Sequence, residues 1–190
     1  MRLGIFGGSF DPPHLGHLLP VLDAAESLGL DAVRFVPAAT QPFKIGRVTA
    51  GPEHRMAMTE RLVARVPGFS ADAVEINRAG LSFTVDTLET LRAANPELEL
   101  VLLVGADAFS LFDQWRGPDR IRELASIAVL DRGDMELSEA GSRAGVTMLR
   151  SRRVDISSTE LRARMSSGRT IRGFVPDAVA DYIAEHRLYR

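Results

Sequence analysis

The run Leu98-Glu99-Leu100-Val101-Leu102-Leu103-Val104 is apolar at every position but one. It is far too short to span a bilayer. It reads instead as a strand buried on both faces, the kind found in parallel sheets covered by helices. Shorter runs of the same character are Leu3 to Phe6, closed by Gly7-Gly8, and Ala32 to Pro37, Ala73 to Ile76, Ile127 to Leu130 and Val146 to Leu149. Helical patterns lie between them: Leu18 to Leu28, stopped by Gly29, then Glu53 to Val66, then Val85 to Ala94, closed by Asn95-Pro96. A short helical stretch follows Val104, another helix begins near Ser157 and carries Leu161 to Met165, and Pro176 to Tyr189 is terminal. This alternation predicts an α/β fold: a doubly wound, mainly parallel sheet in three α/β/α layers, forming one domain over residues 1–190. Two polar, glycine-containing stretches, Ala38 to Pro52 and Asp131 to Gly145, read as loops, the second expected to be mobile.

Composition narrows the function classes. Apolar residues are 45%, charged residues 25% and the net charge is -2, the averages of a soluble globular protein. With no basic surplus there is nothing to neutralise a phosphodiester backbone, so no nucleic-acid partner is expected. Cysteine is absent, which excludes disulfides, thiolate catalysis and thiolate metal sites. The start, Met1 to Phe6, lacks the apolar stretch of a signal peptide, and no run reaches membrane-spanning length. The cytoplasm is the default, with no membrane partner; the residues leave oligomeric state open.

In open parallel sheets ligands bind beyond the carboxyl ends of strands. The first such loop is Gly7-Gly8-Ser9-Phe10-Asp11-Pro12-Pro13-His14-Leu15-Gly16-His17. Its glycines permit close approach of a ligand, and the following helix start attracts an anion. His14 and His17, three apart, face the same side of a first helical turn and suit charge that develops during phosphoryl or nucleotidyl transfer. The loop matches neither the Walker spacing nor G-x-G-x-x-G, and no third ligand completes a zinc site. On the residues alone an anion site and a plain turn with surface histidines both stand. The second constellation, Ile156-Ser157-Ser158-Thr159-Glu160-Leu161-Arg162, is read two ways as well. Ser157 with Glu160 fits a capping box, and the hydroxyls with Arg162 fit a phosphate site.

Taken together, Gly-Ser-Phe-Asp-Pro-x-His-x-Gly-His near the start and Ile-Ser-Ser-Thr-x-x-Arg near the end resemble the HxGH nucleotidyltransferases. The resemblance implies a Rossmann-like sheet related to the cores of class I aminoacyl-tRNA synthetases. It places Gly8, Ser9, Phe10, His14, Gly16, His17, Gly105, Asp107, Ile156, Ser157, Ser158 and Arg162 at ATP, with His14, His17 and Arg162 catalytic.

Further segments resemble the bacterial nicotinate-nucleotide adenylyltransferases along nearly the whole chain. They are Ser82-Phe83-Thr84-Val85-Asp86-Thr87-Leu88, then Gly105-Ala106-Asp107 with Phe112 and Trp115, and the tail from Val175-Pro176 to Leu188-Tyr189. By this resemblance Lys44, Ser82, Phe83, Thr84 and Trp115 hold the mononucleotide, Trp115 stacking on its pyridine ring. Each has a plainer reading: Thr84 and Asp86 as helix caps, Trp115 as core, Asp107 as a cap, Lys44 as a solvated lysine. Phe83 stands where the family usually has Tyr, and Phe43 where it often has His. Arg150, Arg152 and Arg153 read as a solvated strand edge.

The implied reaction joins nicotinate mononucleotide to the AMP part of ATP, with Mg2+ carried by ATP and pyrophosphate leaving. Nicotinamide mononucleotide or phosphopantetheine are alternative acceptors. A non-catalytic nucleotide-binding module is the alternative of another class.

Overall fold

The computed structural model describes residues 1–40, 49–131 and 145–190. Its centre is a six-stranded, all-parallel sheet of β1 (Arg2–Gly8), β2 (Ala32–Pro37), β3 (Phe69–Ala71), β4 (Glu99–Gly105), β5 (Ser126–Asp131) and β6 (Val146–Arg150), in the order β3-β2-β1-β4-β5-β6. The helices are α1 (Leu15–Leu28), α2 (Pro52–Val63), α3 (Val74–Arg78), α4 (Thr84–Ala94), α5 (Ala106–Phe109), α6 (Pro118–Leu124), α7 (Ser158–Ser166) and α8 (Asp177–Glu185).

The sheet is covered on both faces because its strands are apolar on both. Along β4, Leu100, Leu102 and Val104 pack with Val85, Leu88 and Ile121 of α4 and α6. Val101 and Leu103 point the other way, to Leu18 and Val21 of α1, Met58 and Leu62 of α2, Leu161 of α7 and Val179 of α8. The strand order reverses between β1 and β4, which are paired along Arg2–Phe6 and Glu99–Leu103. Chains leaving these two strands diverge to opposite sides and open a crevice at their carboxyl ends. No helix among the described residues is long and apolar enough to cross a membrane.

One expected strand is wrong. Ala73 to Ile76 is not extended; it lies at α3, and the edge strand is Phe69–Ala71, paired with Val33–Phe35. The cause is Asp72, whose carboxylate accepts from the Val74 amide at 2.9 Å and pairs with Arg34 at 2.9 Å, turning the chain out of the sheet. A four-residue apolar pattern is too short to separate helix from strand. The terminal helix is also shorter than expected. α8 ends at Glu185, and Arg187 and Tyr189 take left-handed backbone angles (φ 53° and 63°), folding the tail back. Helix α1 starts one turn earlier than its apolar pattern, with His14 as N-cap. The stretch expected to be a mobile loop lies, from 132 to 144, outside the described residues.

Candidate active site

The loop from β1 to α1 is held in one shape by packing. Phe10 is buried in the left-handed region (φ 50°), a conformation a bulky residue adopts only when its surroundings impose it. Its ring packs 5.9 Å from Phe6, 5.8 Å from Phe35 and 5.2 Å from the His17 ring. Gly8 is required beneath it, since a Cβ there would lie 2.9 Å from the Phe10 ring. The two histidine rings are 3.8 Å apart, and Nδ1 of His17 accepts from the His14 amide at 3.2 Å. His14 is only 3% exposed, so it is not the surface residue of the plainer reading. The Leu15 amide at this helix start donates to the Phe174 carbonyl at 3.0 Å.

The two sequence constellations, almost the length of the chain apart, meet here. Ser158 Oγ donates to the Pro12 carbonyl at 2.8 Å, and Arg162 Nη1 donates to the Asp11 carbonyl at 2.7 Å. Gly16 lies between them. A Cβ on it would come within 2.9 Å of the His14 ring and 3.2 Å of the Ile156 carbonyl. The small residue between the two histidines is therefore a packing requirement of this meeting point. Ser157 caps α7 by accepting from the Glu160 amide at 3.1 Å, one half of the capping box of the plainer reading; the return bond from the Glu160 side chain is not formed. Arg162 Nη2 reaches Thr159 Oγ1 at 3.2 Å.

Beside this meeting point, in the crevice between β1 and β4, is a cavity of about 310 Å³. Gly8 and Gly105 form part of its wall, with Ser82, Phe83, Thr84 and Trp115. Trp115 is half-buried, tilted against Phe112 at 5.4 Å, and its ring also faces the cavity, so the core and the cavity share it. Thr84 opens α4, but neither it nor Asp86 is its cap: Phe83 holds that position without a side-chain bond. Asp86 instead pairs with Arg116 at 3.4 Å. The Ser82 hydroxyl accepts from the Ala39 amide at 2.9 Å. Asp107 is exposed in the first turn of α5, whose cap is Gly105, so the capping alternative fails there too. Lys44 and Phe43 lie outside the described residues.

The arginine cluster after β6 is a solvated edge with acidic partners. Arg152 grips Asp23 of α1 at 2.6 and 2.8 Å, and Arg153 pairs with Asp155 at 3.0 Å. Among the described residues no three His, Asp or Glu side chains converge on a metal position.

Three contributors escaped the sequence reading, and a fourth, Asp11, was seen in the loop motif without a role. Arg116 stands over the Phe83 ring at 4.9 Å on the cavity wall, a cation where none was expected. Glu75 is a buried carboxylate in the same wall, accepting from Thr87 Oγ1 at 2.6 Å. Arg55 is 1% exposed and donates to the carbonyls of Ser9, Ala39 and Ala50 at 2.9, 3.0 and 3.1 Å. Burial holds its guanidinium below the usual arginine range, with the Asp11 charge opposing that shift. Asp11, 3% exposed, gathers Thr49, Ala50 and the terminal Tyr189. Asp11 was visible as a member of the loop motif. Arg55 carried no signal, since a single arginine in a helix normally points to water.

Comparison with known proteins follows the same outline. The cytidylyltransferase-like family matches residues 5–164. A probable nicotinate-nucleotide adenylyltransferase of Gemmatimonas aurantiaca is 49% identical, over 100% of this chain and 93% of that one. One from Thermus thermophilus is 45% identical, over 100% of both. Among solved structures, Plasmodium falciparum nicotinic acid mononucleotide adenylyltransferase complexed with NaAD superposes with a TM-score of 0.82. It covers 99% of this chain and 97% of that one at 20% identity, a likeness of fold.

Proposed function

We infer the reaction from one premise: the chain belongs to the cytidylyltransferase-like family and, within it, to the nicotinate-nucleotide adenylyltransferases. It transfers the adenylyl group of ATP to nicotinate mononucleotide, giving nicotinate adenine dinucleotide and pyrophosphate. The observation that supports this at the site is the meeting of the two constellations, through Ser158–Pro12 and Arg162–Asp11, beside a cavity of about 310 Å³ large enough for a pyridine ring and part of its ribose.

In the proposed mechanism a phosphate oxygen of the mononucleotide attacks the α-phosphorus of ATP. The bond from that phosphorus to the bridging oxygen of the β-phosphate breaks, and its electron pair leaves with pyrophosphate. Both reactants are anions, so catalysis consists of positioning and of charge stabilisation, with no covalent intermediate. His17, supported by His14, faces the α- and β-phosphates; Arg162 holds the leaving pyrophosphate. Gly8, Ser9, Phe10, Gly16, Gly105, Ile156, Ser157 and Ser158 shape the nucleotide side, and Asp107 takes a ribose hydroxyl. Mg2+ is part of the proposal as an ion carried by the triphosphate, where it neutralises phosphate charge. Such an ion would keep most of its waters, be held by the phosphates and require no protein cage.

On the acceptor side Ser82, Phe83 and Thr84 lie beside the acid group and Trp115 stacks on the ring, with Lys44 assigned to the phosphate. Two features favour a carboxylate over an amide: the amide groups at the start of α4, and Arg116 above Phe83. The deciding experiment is pyrophosphate release with nicotinate mononucleotide, nicotinamide mononucleotide and phosphopantetheine side by side. The acid is expected to give the highest kcat/KM. An equal or higher value with the amide would move the acceptor assignment, and no release with any would leave a binding module.

Two substitutions test the two halves. Arg162→Lys should lower kcat/KM for ATP about tenfold or more, since one ammonium replaces a fork that serves two partners at once. Unchanged ATP kinetics would reduce Arg162 to a helix residue. Titration with nicotinate mononucleotide should quench the fluorescence of the sole tryptophan, and ATP alone should do much less. Trp115→Ala should weaken mononucleotide affinity by roughly 1–3 kcal/mol, the range for stacking a base on an aromatic ring, and leave ATP affinity in place. A variant that unfolds without any quench in the unaltered protein would make Trp115 core.

A further inference from the structure

We propose that Tyr189 is a positioning residue that keeps Arg162 available to ATP by occupying the carboxylate of Asp11. The proposal rests on the adenylyl-transfer reading above and adds to it a residue of the terminal tail. Asp11 offers about four acceptor positions on its carboxylate. Oδ2 takes the Thr49 amide at 2.8 Å and the Thr49 hydroxyl at 3.0 Å; Oδ1 takes the Ala50 amide at 3.0 Å and Tyr189 Oη at 2.7 Å. All four are filled. Arg162 Nη1 sits only 3.8 Å from Oδ2, yet its hydrogen bond goes to the Asp11 main-chain carbonyl at 2.7 Å. The other nearby cation, Arg55, has Nε, Nη1 and Nη2 each committed to a carbonyl.

Among the described residues Arg162 is therefore the charge beside Asp11 that can still move, and its side chain is 25% exposed. Removing the Tyr189 hydroxyl frees a lone pair on Oδ1, the neighbour of the oxygen that Arg162 already approaches at 3.8 Å, in a carboxylate that is 3% exposed and where water cannot readily substitute. The guanidinium then turns inward to a full ion pair and leaves the phosphates. The tail is built for this contact: after α8 the Arg187 amide returns to Ala184 and the Leu188 amide to Ile183, with left-handed Tyr189 completing the reversal. Burial and the neighbouring carboxylate both push the phenol above its ordinary range, so it remains a donor.

The test is titration calorimetry of a non-hydrolysable ATP analogue with Mg2+, without acceptor, on four proteins: unaltered, Tyr189→Phe, Arg162→Gln and the pair. Tyr189→Phe should weaken binding about fivefold, the scale of one ordinary intramolecular hydrogen bond. In the Arg162→Gln background, which has no cation to trap, the same change should matter less than about twofold, because sites acting through one another are not additive. A residue 189 replaced by 4-aminophenylalanine, which restores a donor of the same reach, should return the affinity. Full repetition of the loss in the Arg162→Gln background would overturn the proposal, as would unchanged binding by Tyr189→Phe. Loss of its cooperative melt without rescue by 4-aminophenylalanine would also overturn it. An unaltered protein that does not bind the analogue would instead overturn the nucleotide reading beneath it.

Discussion

Replacing His17 with alanine should lower turnover by about two orders of magnitude or more, the usual loss when one donor aimed at transition-state charge is removed. The structure explains why this imidazole is a suitable donor. Its Nδ1 accepts the His14 amide at 3.2 Å, so in the neutral ring the proton resides on Nε2. The ring is steadied by the edge contact with Phe10 at 5.2 Å and by His14 at 3.8 Å. Those contacts also mean that the variant loses some packing, about 1 kcal/mol for an aromatic contact and so a few degrees in Tm. The fold should survive. Pyrophosphate release at saturating ATP and nicotinate mononucleotide is the measurement, and near-normal release by a folded His17→Ala protein would remove His17 from the mechanism.

Arg55→Met should give the largest loss of stability of any single change considered, about 3–5 kcal/mol, the range for uncompensated buried polar groups. Methionine fills the aliphatic volume but makes none of the three bonds to Ser9, Ala39 and Ala50. It also removes a positive neighbour of the Asp11 carboxylate. At roughly 2–4 °C per kcal/mol for a chain of this size, Tm should fall by about 10 °C. Because Ser9 belongs to the candidate ATP loop and Ala50 leads into α2, ATP binding should weaken along with stability. A melt within about 2 °C of the unaltered protein would show that water replaces the guanidinium, and that Arg55 is not the support described.

The two predictions concern residues that differ in how readable they were. His14, Gly16 and His17 stood in a pattern with a chemical meaning, and the structure added why each is needed. Gly16, for instance, separates the His14 ring from the Ile156 carbonyl. Arg55 stood in an ordinary amphipathic helix. Nothing in Pro52 to Val63 marks one arginine as buried, because its partners lie 46 residues back and 16 back. Arg116 escaped for a related reason. Its place on the cavity wall depends on how the segment after β4 packs against α4, which no local pattern encodes.

The amino-acid sequence by itself determined the alternation of strands and helices, the parallel sheet, and two motifs whose combination identified the chemistry. These are local properties: side-chain period, glycine and proline punctuation, and capping residues act over a few positions and can be read there. The tertiary structure alone decided the rest. It made a helix of Val74 to Arg78, turned the tail back at Arg187, and joined Ser158 to Pro12 and Tyr189 to Asp11 across 146 and 178 residues. Such bonds leave no periodic trace, because each is a single contact between segments whose local patterns are complete without it. What selects them is burial: an acidic or basic group withdrawn from water must find its partners wherever the fold brings them.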